Sequence, residues 1–352
     1  MAPPEFLTRL LTAAGPSGHE NEAARAWREG CSAFTEQVGS DHLGSSYARV
    51  AGTAGGPSLA VVGHIDEIGL HISHIDDDGF LRFGEIGGWD PLVLVGQRVA
   101  ISTRGGAVTG VIGRKPIHLL KDEDRKQVPQ VKDLHIDIGA GDGDEACGLV
   151  RIGDVAVIDV APAELRNGRV ISRALDNRVG CYVAAEAARL VAADGGAAGD
   201  VVALAVVQEE TTFAGSRTSA FAQEPDVAIV VDVTFETDQP GVELGEMTKH
   251  TFGSGPVIAR GTTLHPMVFE LLHDTAVQEE IPFTVESLGR GTGTDADAIH
   301  LSRAGVPTGL VSVPSRYMHS PVEMVSLQDI DAAARLIAAF AARLTQATSF
   351  QR

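Results

Sequence analysis

Four largely apolar runs, each followed by a histidine or an acid, constrain this chain more than any other feature. Leu59-Ala-Val-Val-Gly runs straight into His64-Ile65-Asp66-Glu67, and Val201-Val-Ala-Leu-Ala-Val-Val ends at Gln208-Glu209-Glu210. Val227-Ala-Ile-Val-Val ends at Asp232, and Thr308-Gly-Leu-Val-Ser-Val is followed six residues later by His319. Side chains of a strand alternate between its two faces, so a run that is apolar throughout suits a strand buried on both. Such strands belong to mostly parallel sheets with helices on each side. Polar residues at their C-terminal ends then converge on one edge, where open α/β sheets place their ligands.

Helical periodicity supplies the covering layers. Residues 178–193 repeat apolar positions at helical spacing, and Ile330, Leu336, Ile337, Phe340 and Leu344 fall on one face of a C-terminal helix. Ser326, with Asp329 three residues on, is the expected cap of that last helix. Further helices are expected near 19–34 and 265–279. Between Leu70 and Ala163 no amphipathic helix is expected. That stretch holds short β-rich runs broken by glycine: Phe80-Leu-Arg-Phe, Leu92-Val-Leu-Val, Arg98-Val-Ala-Ile-Ser, Ala107-Val-Thr-Gly-Val-Ile and Val155-Ala-Val-Ile-Asp-Val. It reads as a mostly β unit interrupting an α/β unit, with one mixed domain carrying long hairpins as the alternative.

The balance of 28 basic against 47 acidic residues gives a formal charge of −19, which repels phosphate backbones and anionic lipid. Neither nucleic acid nor a membrane surface is an expected partner. Cys31, Cys147 and Cys181 form no CxxC pair and are expected to be buried, unpaired thiols in a reducing compartment. With no basic segment followed by an apolar one at the start of the sequence, a cytoplasmic protein is expected.

The residues gathered at the strand ends are His64, Asp66, Glu209, Glu210, Asp232 and His319, joined by Asp176 in Arg173-Ala-Leu-Asp-Asn-Arg178. Taken singly, each has an ordinary reading: Asp176 caps a helix, His319 sits in a turn before Pro321, Asp232 is a loop carboxylate. Glu209 and Glu210 are harder to set aside, because adjacent acids after a buried strand repel one another without a cation nearby. Mixed nitrogen and oxygen donors of this kind suit Zn²⁺ or Co²⁺ better than Mg²⁺, with Mn²⁺ a further candidate.

At these residues the sequence resembles the M42 family of metalloaminopeptidases, the tetrahedral aminopeptidases that include glutamyl aminopeptidases. The resemblance is carried by Gly63-His-Ile-Asp-Glu-Ile-Gly69, Arg173-Ala-Leu-Asp-Asn-Arg178, Val207-Gln-Glu-Glu210, Val231-Asp-Val233 and Arg316-Tyr-Met-His-Ser-Pro-Val-Glu323. Weaker matching stretches, among them Gly15-Pro-Ser-Gly-His-Glu20 and Gly293-Thr-Asp-Ala296, extend it over nearly the whole chain. The resemblance implies a zinc-peptidase (phosphorylase/hydrolase-like) α/β domain made of residues 1–68 and 165–352. Residues 69–164 would be an inserted β dimerisation domain, PDZ-like or a barrel. It also implies two divalent metal ions per subunit. His64 and Asp232 would bind one and Glu210 and His319 the other, with Asp176 bridging, Asp66 orienting His64, and Glu209 acting as general base.

The implied activity is removal of N-terminal amino acids from short peptides. The implied assembly is a homo-oligomer built from dimers, a tetrahedral dodecamer. Rival readings are an N-acyl amino acid or peptide deacylase on the same two-metal site, an inactive assembly protein, and an endoglucanase. The last has no use for His64 and His319 as ligands. One departure from the family pattern follows Glu210. A Val-Gly-Leu-Arg-Gly-like segment is replaced by Thr211-Thr-Phe-Ala-Gly215, which leaves the preferred N-terminal residue open.

Overall fold

The structure, a computed structural model, describes residues 2–245 and 248–351; Met1 and Arg352, the outer limits of the expected segments, lie outside these. All four apolar runs are strands: Leu59–His64, Val201–Val206, Val227–Phe235 and Thr308–Arg316. They pair in parallel as the centre of an eleven-stranded mixed sheet, with Val206 beside His64, Val230 beside Val62 and Asp232 beside Ser312. Antiparallel strands extend this centre at both edges, Ser46–Val50 beside Val201–Val206, and Glu323–Ser326 followed by Arg169–Ser172 beside Thr308–Arg316.

Alternation along these strands feeds two separate apolar layers. Leu59, Val61, Ala203, Ala205, Ile229 and Val231 pack on the face covered by the helices Leu175–Ala193 and Leu327–Arg343. Ala60, Val62, Val202, Leu204, Ala228 and Val230 pack on the other face, with Ala220 and Ile299 from two shorter helices. This is why the runs carry no ionisable residue before the C-terminal edge of the sheet. Helix Leu175–Ala193 crosses the end of Leu59–His64 so closely that a Cβ on Gly63 would lie 2.4 Å from the Gly180 carbonyl carbon. A side chain there would push the helix away from His64.

Between Gly69 and Ile158 six strands close an antiparallel barrel, in the order Gly69–Ile75, Leu81–Ile86, Leu134–Asp137, Gly106–Arg114, Arg98–Thr103 and Val155–Ile158. It has its own core, including Leu70, Ile72, Leu81, Val99, Ile101, Ile112 and Ile136.

Local expectations need four corrections. Leu92-Val-Leu-Val is not a strand: Pro91–Leu94 is a helical turn, started by Asp90, whose side chain accepts from Leu92 N at 2.9 Å. Proline at the first helical position and an Asp cap override the β preference of the valines. A seven-residue helix, Gly143–Leu149, also lies within the β unit, too short to show a periodic apolar face. Ser326 stands at the start of the last helix but forms no side-chain cap, and Asp329 instead accepts from Gly253 N and Gly255 N. Cys31 and Cys181 are buried free thiols, whereas Cys147 is exposed. No helix among the described residues is long and apolar enough to cross a membrane.

Candidate active site and metal centre

The seven candidate residues come together at the C-terminal edge of the central strands. His64 is the last residue of its strand, Asp232 lies within the next, and Glu209 opens a helical turn just after Val201–Val206. Asp176 comes from the start of helix Leu175–Ala193, where the Asp176–Asn177 peptide is cis. His319 follows strand Thr308–Arg316.

Asp176 lies between the two histidines, with Oδ1 at 3.2 Å from His64 Nε2 and Oδ2 at 3.4 Å from His319 Nε2. Glu209 Oε2 is 3.6 Å from His64 Nε2, and Glu210 Oε1 is 3.5 Å from His319 Nε2. Ligand atoms of His64, Asp176 and Glu210 lie within 4.8 Å of one another, as do those of His64, Glu209 and Asp232. These distances are long for charge-assisted hydrogen bonds, which close to about 2.7–2.9 Å. Those from Asp176 and Glu210 match the spacing set by a shared cation: ligands bound tetrahedrally at about 2.0–2.1 Å stand about 3.3 Å apart. The donor set fits two divalent ions, with Asp176 offering one oxygen to each side.

Electrostatics give the same picture. Burial raises Glu209 to about 10, His64 opposing and Asp232, Asp295 and Glu210 adding to the rise. Burial likewise holds Asp232 and Glu210 above the ordinary carboxylate range. Hydrogen bonds with Asp176 and Glu210 push His319 up to about 11. Burial works against the charged form of His64, yet Glu209, Asp176 and Asp66 raise it well above its usual value. For Asp176 burial is likewise overcome, here by hydrogen bonds with His319 and His64, so its carboxyl is lowered. The cluster therefore retains protons that a cation would displace.

Asp66 does more than face His64. Its Oδ1 lies 3.4 Å from His64 Nδ1, and its two oxygens accept the backbone N–H groups of Glu209 at 3.0 Å and Glu210 at 3.1 Å. One carboxylate thus sets the direction of both glutamates. Behind it, fully buried Arg178 donates to Ile65 O at 2.6 Å and to Glu67 at 3.0 Å, which anchors the turn after His64. Gln208, Tyr317 and His319 have φ values of 60°, 58° and 59°, left-handed backbone that costs about 1–3 kcal/mol each and clusters at functional sites.

Two buried acids outside the expected set belong to this assembly. Glu323 accepts from Asp176 N and from His319 N, both at 2.9 Å, and so ties the central carboxylate to the second histidine. Its signal was present only as the last residue of the Arg316–Glu323 stretch. Fully buried Asp295, in Gly293-Thr-Asp-Ala296, is raised to about 7 by burial. His319 Nδ1 is 2.9 Å from the carbonyl of Gly88, a residue between two barrel strands, so Nδ1–H donates there and Nε2 is left for the cluster. In the segment that departs from the family pattern, Thr211 Oγ1 meets Ser17 Oγ at 3.0 Å. Gly215 is retained because a Cβ would lie 2.4 Å from Val207 N and O.

A model of the M42 glutamyl aminopeptidase family matches residues 44–336. The lysyl aminopeptidase of Pyrococcus furiosus is 34% identical over 330 residues, 93% of each chain. A TET aminopeptidase from a marine sediment thaumarchaeon superposes with a TM-score of 0.91 at 35% identity, over 97% of this chain and 96% of that one. The Pyrococcus horikoshii TET1 peptidase, described as able to assemble into a tetrahedron or a large octahedral shell, superposes with a TM-score of 0.85 at 31% identity. It covers 97% of this chain and 99% of its own. Together with the strand-edge geometry, these findings place the chain in the M42 glutamyl aminopeptidase family.

Proposed function

We propose that this protein removes N-terminal amino acids from short peptides at a two-metal site. His64 and Asp232 would hold one ion, Glu210 and His319 the other, and Asp176 both; Zn²⁺, Co²⁺ or Mn²⁺ suits these donors. The observation that carries this reading is the set of His–carboxylate spacings of 3.2 to 3.5 Å that join Asp176 to both histidines and Glu210 to His319. Such ions, when bound, supply a Lewis acid for the scissile carbonyl and lower the pKa of water. Glu209, beside that position and directed by Asp66, takes a proton from the attacking water and returns it to the leaving amine. Glu210 belongs to the His319 side, which leaves Glu209 free to carry the proton.

The barrel, within residues 69–164, would pair two subunits, with dimers building a tetrahedral dodecamer, and residues 1–68 with 165–352 forming the catalytic unit. Three free cysteines accord with a cytoplasmic enzyme.

Amino-acid p-nitroanilides test this. Metal-free protein resupplied with Zn²⁺, Co²⁺ or Mn²⁺ should release p-nitroaniline. Glu209→Gln should lower kcat about 10²–10⁴-fold with metal content unchanged. Full activity in that variant removes Glu209 as the base, and cleavage of N-acyl substrates alone makes the protein a deacylase. Light scattering should show an assembly far larger than a monomer.

A further inference from the structure

The cavity over the cluster, about 480 Å³, continues past the candidate ligands to Thr234, Phe235, Glu286, Leu288 and Met318. Apart from the cluster itself, Glu286 is the one ionisable side chain among the described residues lining it, and no Lys or Arg lines it. Glu286 lies on strand Thr284–Leu288, half-buried, with no salt bridge among the described residues. Its partner is Thr234, whose Oγ1 donates to Glu286 Oε2 at 3.4 Å. Burial raises its pKa, the Thr234 hydrogen bond opposing, and a cation paired with it would favour the carboxylate.

We propose that Glu286 makes this pocket select a basic N-terminal residue, lysine or arginine, by pairing with the end of that residue's side chain. The inference deepens the aminopeptidase reading and rests on it. Position supports it. Thr234 is two residues beyond Asp232 on one strand, an advance of about 6.6 Å on the same face of the sheet. Glu286 beside Thr234 is therefore set back from the cluster by about the reach of a four-carbon stem. Leu288, Phe235 and Met318 supply apolar surface for that stem, as basic side chains require when only the charged tip is polar. Among the ionisable side chains lining the pocket, an acidic N-terminal residue would meet only carboxylates and the two candidate ligand histidines, with no Lys or Arg to pair with it.

The test is kcat/KM for lysyl, arginyl, leucyl and glutamyl p-nitroanilides, with the metal-loaded protein and its Glu286→Gln and Glu286→Asp variants. The unaltered protein should favour the lysyl and arginyl substrates. Glu286→Gln should lower kcat/KM for these about 10-fold or more, mainly through KM, and change the leucyl value less than about 2-fold. Glu286→Asp, keeping the charge, should retain the basic preference. A glutamyl or leucyl preference in the unaltered protein overturns the proposal. So does an equal loss on all four substrates in Glu286→Gln, which would place Glu286 on the common α-amine. Absence of release from every anilide defeats the aminopeptidase reading itself.

Discussion

His64 and His319 face the same carboxylate from opposite sides, yet their surroundings differ. The His64 side chain is 2% exposed, ends a central strand and is backed by Asp66 and the buried Arg178–Glu67 pair. The His319 side chain is 36% exposed, stands on a loop with a positive φ, and is held by Glu323 and the Gly88 carbonyl. One flank is thus fixed by packing that exists before any ligand arrives. The other is assembled from hydrogen bonds, and it is the side open to solvent. Two donor sets of similar chemistry should therefore differ in how firmly they hold an ion.

The largest effect expected from breaking this contrast is on the buried flank. In Asp66→Asn one oxygen becomes an NH₂ group and faces a backbone N–H of Glu209 or Glu210, so one of the two contacts turns repulsive. Loss of such a supporting group costs about 10–100-fold; kcat should fall near the upper end, with metal content largely retained. Glu323→Gln acts on the open flank. Its amide cannot accept from both Asp176 N and His319 N, and a loss near 10-fold is expected, with one metal equivalent weakened in a titration. Equal effects of these two variants on both metal equivalents would erase the distinction between the flanks.

A smaller effect is the pH dependence of metal-free stability. Glu209 at about 10 and His319 at about 11 bind protons more tightly folded than unfolded. The metal-free fold should thus be favoured below the unfolded values, near 4.5 for Glu and 6.5 for His, and lose stability as pH rises toward 10. A bound cation replaces those protons. The gap in Tm between metal-loaded and metal-free protein should therefore widen from pH 5 to pH 9, which calorimetry would show.

The central strands were legible because burial on both faces keeps ionisable residues out of their interiors, so the first His or acid marks the C-terminal edge of the sheet, even where, as at Asp232, the strand runs on to Phe235. That one rule located His64, Glu209, Glu210 and Asp232 together. Glu323 escaped it because its place depends on strand Glu323–Ser326 pairing with Arg169–Ser172, where Ser172 lies opposite Glu323. A pairing between segments 151 residues apart (323 − 172 = 151) leaves no periodic trace. Glu286 escaped for a related reason: a carboxylate on a half-polar edge strand reads as solvated until a cavity is seen beside it. Leu92-Val-Leu-Val was misread because its composition outweighed the Asp90-Pro91 start that shapes it.

The hydrogen bond from His319 to Gly88 joins residues 231 positions apart and crosses from the α/β unit to the barrel. Its acceptor belongs to the segment that joins two barrel strands, so the inserted unit decides which ring nitrogen of His319 carries the proton and which is left for the pocket. The barrel is therefore part of the site's chemistry as well as a body inserted in the chain.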